Sequence, residues 1–104
     1  MRLSYTEEAI ADLERLRAFI AEHDPKAAVR VALDLLARIE RLCEFPLIGH
    51  TVAEAPDPEH IRDFAFSRYV VRYLVSEKSL CILRIWHHRE DRARRPRLKS
   101  PRRK

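Results

Sequence analysis

Apolar residues along this chain recur with two different periods, and the change falls near residue 50. In the first half they return every three or four positions. From Thr6 to about Ala21, Ile10, Leu13, Leu16 or Arg17, and Ile20 fall on one helical stripe, with Glu14, Arg15 and Glu22 mostly outside it. Thr6 predicts an N-cap, and Glu7 and Glu8 suit the positive end of a helix dipole. The break His23-Asp24-Pro25 predicts a second start, with Asp24 as cap and Pro25 at the first helical position, where its missing N–H costs nothing. A second helix is expected from Pro25 to about Glu44, with Ala28, Ala32, Leu35, Leu36, Ile39, Leu42 and Cys43 as one apolar face. So short a connection implies an antiparallel αα-hairpin. Pro46 ends the helix, and Gly49, the only glycine, is expected at a turn that a side chain would hinder.

Residues 50–60 are polar, carry Pro56 and Pro58, and read as a loop. Beyond them Ile61–Phe66, Tyr69–Ser76 and Leu80–His87 are rich in Val, Ile, Tyr, Phe and Trp and read as strands; Arg2–Tyr5 is a further short one. The expected fold is α+β, in the order βααβββ: an N-terminal short strand and an antiparallel αα-hairpin packed on a small antiparallel β-sheet. Residues 1–92 read as a single domain, and 93–104 as a basic C-terminal tail expected to be flexible.

Charge changes this picture. Residues 1–60 hold 7 Lys/Arg against 12 Asp/Glu, whereas residues 61–104 hold 14 against 4. The formal net charge of +5 therefore conceals a strongly basic second half. Such a field favours nucleic acid, an acidic protein segment, or both. No apolar run approaches the ~18 residues of a membrane span, and Glu7, Glu8 and Asp12 interrupt any signal-like region. The expected location is the cytoplasm, with Cys43 and Cys81 as reduced, buried thiols. Neither cysteine has metal-ligand spacing, and no cofactor is implied.

The strands carry cations where burial is costly. By alternation Arg72 shares a face with Val70 and Leu74, and Arg84 with Leu80, Ile82 and Trp86. On the face away from the helices these would form an apolar groove with cationic points, suited to an amphipathic acidic chain. The alternative is that both arginines pair with Asp63, Glu90 or Asp91. His87 and His88 are adjacent and so point to opposite faces, one packed and one exposed, rather than forming one site.

Several features together resemble the ParE/RelE superfamily of bacterial toxins over about residues 3–92. They are the βααβββ order, Leu42…Pro46…Gly49 closing the second helix, and Arg62 opening the next strand. Tyr69 and Tyr73, and Ile85-Trp86-His87-His88-Arg89-Glu90 ending the last strand, complete the set. The resemblance implies the toxin half of a toxin–antitoxin operon, in a hetero-oligomer with a cognate ParD-like antitoxin. ParE-like members act on DNA gyrase, and RelE-like members cut mRNA in the ribosomal A site; the C-terminal signature here is more similar to the ParE branch. On that branch no catalytic residue is expected. The antitoxin would meet Leu13, Arg17, Ile20, Arg72, Leu74, Ile82, Arg84 and Trp86, and the target would meet His88, Arg89, Glu90 and Arg92.

RNA cleavage by a 2′-oxygen would instead need a base, cations for the phosphorane charge and an acid for the leaving oxygen. Lys78 is the only lysine between residues 27 and 98, and no tyrosine follows the last strand. A ribonuclease would have to use Arg62, Arg84, His87, His88 and Arg89. A third reading is a small basic nucleic-acid-binding module. Against it, the strands lack exposed aromatics interleaved with Lys/Arg.

Overall fold

Two short polar side chains set where the helices begin. In the computed structural model, which describes residues 1–55 and 60–88, the elements are β1 (Arg2–Tyr5), α1 (Glu7–His23), α2 (Pro25–Leu42), β2 (His50–Thr51), β3 (Ile61–Phe66), β4 (Tyr69–Val75) and β5 (Ser79–His87). Thr6 Oγ1 accepts a hydrogen bond from the Ala9 N–H at 3.0 Å and starts α1. Asp24 Oδ1 accepts from the Ala27 N–H at 3.1 Å, and Pro25 fills the first turn of α2. Both caps satisfy N–H groups that a helix start leaves without partners.

The hairpin packs on one face of a five-stranded sheet of order β1-β5-β4-β3-β2. From β2 to β5 neighbouring strands are antiparallel, but β1 runs parallel to β5, with Leu3 opposite Leu80 and Tyr5 opposite Ile82. The α+β architecture is as expected, whereas the sheet is mixed rather than wholly antiparallel. Parallel neighbours need a long connection, and the hairpin and the other strands lie between β1 and β5. The polar stretch expected to be a loop contributes β2, where His50 pairs with Asp63 and Thr51 with Arg62.

The core lies between the helices and one sheet face, where Leu16, Leu35, Ile39 and Leu42 meet Val71, Tyr73, Leu80, Ile82 and Ile85. The buried line of α1 is Ala9, Asp12 and Leu16, while Ile10, expected in the stripe, is largely exposed. Cys43 and Cys81 are free thiols, half-buried rather than buried.

One irregularity rearranges the last strand. Arg72 lies opposite Arg84, yet Tyr73 lies opposite Ile82, so Leu83 has no partner on β4. This bulge inserts one residue and reverses the alternation beyond it. Leu80 and Ile82 therefore face the helices together with Ile85, and not with Arg84 and Trp86 as strict alternation predicted. No helix among the described residues is long and apolar enough to cross a membrane.

Candidate partner-binding surfaces

Three arginines on the strands were candidates for binding charge, and each is committed to the protein itself. Arg62 lies opposite Tyr73 and donates from Nη1 to the carbonyls of Gly49 at 2.8 Å and Leu47 at 3.2 Å. It ties down the turn after α2. Tyr73 does the same from the next strand, donating its hydroxyl to the Pro46 carbonyl at 2.8 Å and accepting the Gly49 N–H at 3.0 Å. Burial pushes the Tyr73 hydroxyl above its ordinary range, which keeps the donating proton in place. A Cβ at Gly49 would stand 2.7 Å from that hydroxyl and 2.8 Å from the Asp63 carbonyl. Glycine is required here by close approach; no glycine has positive φ.

Arg84 is held by Asp12, a partner outside the set expected from the sequence. Its Nε and Nη2 donate to Asp12 at 2.9 and 3.1 Å, and Asp12 also accepts the Ile85 N–H at 2.9 Å. Arg15 adds a third cationic donor at 2.8 Å. The reason lies in the sheet edge. The pairing of β1 with β5 ends at Ile82, and an unpaired strand edge must find other partners. The Thr6 N–H donates to Ile82 O and Thr6 Oγ1 donates to Leu83 O; farther along the helix Asp12 takes the Ile85 N–H. The start of α1 thus continues the edge pairing of β1. Burial raises the Asp12 pKa, but the Arg84, Ile85 and Arg15 hydrogen bonds outweigh it and hold the carboxyl below its ordinary range. Asp12 was not singled out from the sequence, although its spacing from Ala9 and Leu16 puts it in the buried line of the helix.

Arg72 is paired as one of the two expectations had it, with Asp63. The pair is bidentate at 2.7 and 2.8 Å, and the guanidinium lies 5.2 Å from the Trp86 ring. Arg72 is 8% exposed and Trp86 4%, with the Trp86 indole N–H unpartnered among the described residues. Ile82, at 0%, offers no surface, while Leu74 and Arg84 are half-buried. The sheet face away from the helices is therefore a closed, charge-balanced patch and not an open groove.

The two histidines separate as expected. His87 packs edge-on to Tyr69, with ring centres 5.1 Å apart, whereas His88 is exposed and its N–H donates to the Arg68 carbonyl at 2.6 Å. Arg89, Glu90 and Arg92 lie outside the described residues, as does the tail.

Open apolar surface is found on the hairpin. A groove of about 110 Å³ runs between α1 and α2 and is lined by Leu13, Arg17, Ile20, Ala32, Leu35 and Leu36. Beside it on α2, Val29 and Leu33 are 58% and 61% exposed, adding a second apolar stripe to the one that faces the core. Sequence reasoning missed Val29 and Leu33. The available signal was a helix apolar over more of its circumference than one core face can bury. Among the described residues no cluster of three or more His, Cys, Asp or Glu could hold a metal.

Comparison with known proteins agrees with this architecture. The family described as ParE toxin of type II toxin-antitoxin system, parDE, matches residues 3–92. Toxin RelE1 of Caulobacter vibrioides is 37% identical over 81 residues, covering 78% of this chain and 86% of the relative. Toxin RelE2 of the same organism is 36% identical over 83 residues, covering 80% and 90%. Among solved structures, that of the chromosomal ParDE system from P. aeruginosa superposes with a TM-score of 0.71 at 23% identity, over 84% of this chain and 95% of that one. The solution structure of HP0894 from Helicobacter pylori gives 0.55 at 19% identity, over 86% and 96%; both share the fold. The chain belongs to the ParE/RelE superfamily of type II toxins, matching its ParE toxin family, and the partner this membership implies is an antitoxin.

Proposed function

We propose that this chain is a binding-type toxin that inhibits DNA gyrase and is neutralised by a ParD-like antitoxin. The observation that carries the reading is the commitment of Arg62, Arg72 and Arg84 to carbonyls and carboxylates of the protein itself. A ribonuclease must turn cations toward a scissile phosphate, and releasing any of these would break the hydrogen bonds it makes within the protein. A toxin that acts by occupying its target needs no such cluster. The residues for that contact are His88, Arg89, Glu90 and Arg92, at and beyond the end of β5. An amphipathic antitoxin segment seats in the hairpin groove against Leu13, Arg17 and Ile20 and continues over Leu33 and Leu36. Leu74 and Arg84 form the part of its contact surface that extends toward the sheet.

The names of the two RelE relatives favour a second reading, ribosome-dependent mRNA cleavage, with Arg62, Arg84, His87, His88 and Arg89 as its residues. A supercoiling assay with purified protein, gyrase, relaxed plasmid and ATP separates the two. Loss of supercoiling with trapped, cleaved DNA, reversed by the antitoxin, is the expected result. Unaffected gyrase together with ribosome-dependent RNA cleavage would overturn it.

A further inference from the structure

The outer face of α2 carries a line of side chains that the core does not use. Lys26, Val29, Leu33, Leu36, Glu40 and Glu44 follow one another at spacings of three or four residues, so they stack along one side of the helix. All six are exposed. Cys43, the C-cap, keeps helical geometry (φ −67°, ψ −26°), which holds Glu44 in the line just beyond it. Arg30 stands one turn on from Lys26 and is exposed as well. The line is therefore apolar in the middle, basic at its N-terminal end and acidic at its C-terminal end. That order runs against the helix dipole, which favours acids in the first turn and bases in the last. The first turn of α2 has no acid, and the base of its last turn, Arg41, lies about 100° round the helix from Glu40. Arg41 is 3.8 Å from Glu44, with the two side chains 69% and 68% exposed, an ion pair worth little in water.

We propose that this face pairs with the same face of a second copy of the chain, the two α2 helices running antiparallel about a two-fold axis. Charge sets the orientation. In a parallel pair Lys26 would oppose Lys26 and Glu40 would oppose Glu40, whereas in the antiparallel pair each basic end meets an acidic one. Charge also sets the register. Lys26 against Glu44 of the second copy and Arg30 against its Glu40 are both centred on the same point, between Leu33 and Leu36, so one register forms both pairs. The two-fold axis doubles them, and Leu33 and Leu36 of both copies gather around it. A foreign chain places no such condition on the two ends of the helix, but a self-complementary contact does. The apolar centre supplies the attraction and the flanking charges fix the partner and its direction. Two helices in contact cover less than the standard interface of about 1,600 Å², so the dimer is weak, with a dissociation constant in the micromolar range. The contact requires neither gyrase nor the ribosome. It rests on the proposed antitoxin seat in one respect: because that seat continues over Leu33 and Leu36, the antitoxin must displace the second copy to reach it.

The test is sedimentation velocity of the full chain from about 1 µM to about 300 µM, over which the wild type should pass from monomer to dimer. Glu40→Lys with Glu44→Lys makes both ends of the line basic, and Lys26→Glu with Arg30→Glu makes both acidic. Either double variant should raise the dissociation constant at least about tenfold. Both move charge in the direction the helix dipole favours, so the thermal midpoint should not fall. Mixed in equal amounts, the two variants bring opposite charges together at every pair and should dimerise as the wild type does. A wild type that stays monomeric throughout, double variants that pair as tightly as the wild type, or a mixture that stays monomeric overturns the proposal. A dimer that survives saturating cognate antitoxin overturns the competition for this face. Weakened pairing in the double variants with gyrase inhibition retained supports the contact and leaves the toxin reading standing. Failure of the gyrase assay with a dimer formed leaves the contact standing alone.

Discussion

Tyr73 holds the turn after α2 through a single oxygen that both donates and accepts. Removing it by Tyr73→Phe leaves the buried Gly49 N–H without a partner, at a cost of about 1–3 kcal/mol. Gly49→Ala should cost a similar amount, about 1–3 kcal/mol, because its Cβ meets the same hydroxyl. The two changes should be non-additive. In the Tyr73→Phe background, alanine at position 49 loses the clash with the hydroxyl and keeps those with the Asp63 carbonyl and the ring carbon Cε1, so its penalty should shrink without vanishing. Urea unfolding of the wild type, the two single variants and the double variant measures this coupling, and strict additivity would contradict the geometry. At Asp12 the sign follows from the lowered pKa. A carboxyl held below its unfolded value adds stability that is complete above about pH 4 and is lost as pH falls through the lower folded value. Asp12→Asn should therefore destabilise the protein by about 1–3 kcal/mol at neutral pH. The gap to the wild type should be retained at pH 5 and narrow at pH 3; a gap independent of pH would exclude the charged network as its source.

At the scale of elements, α2 has more apolar surface than the core can take. Ala28, Leu35, Ile39 and Leu42 are buried against the sheet, and Val29 and Leu33 stay open beside the groove. Exposed apolar stripes of this kind mark interaction sites. Leu33→Glu, a good helix former at an exposed position, should change stability by less than about 0.5 kcal/mol. In calorimetric titration with a cognate antitoxin it should weaken binding by at least about tenfold, since a charge would enter an apolar contact. Unchanged affinity would remove the hairpin from the antitoxin interface. The β5 bulge acts at the same scale. It turns both Ile82 and Ile85 into the core and leaves the edge groups of the strand to be taken up by Thr6 and Asp12 of the helix start.

Across the whole molecule, three surfaces separate. The hairpin presents apolar area, the far sheet face is closed by the Arg72–Asp63 pair and Trp86, and the end bearing Arg38, Arg68 and His88 is basic.

Much of the fold was legible because local chemistry determines it. Thr6, Asp24 and Pro25 start helices through bonds within three residues, β3 begins and ends as its β-rich run does, and the strand-and-hairpin order follows from the change of period. Family membership was legible for the same reason, since its features are order and spacing. Other features depended on residues far apart in sequence. The direction of β1 rests on its pairing with β5, and the Asp12–Arg84 pair joins residues 72 positions apart. The bulge shifts the strand by one residue, which inverts every side chain beyond it while leaving composition and period unchanged. The sequence by itself determined which segments are helix or strand and where the charge resides. Only the tertiary structure decided which arginines are spent on the protein's own carboxylates and which apolar faces remain open, because both depend on what the remainder of the chain brings alongside.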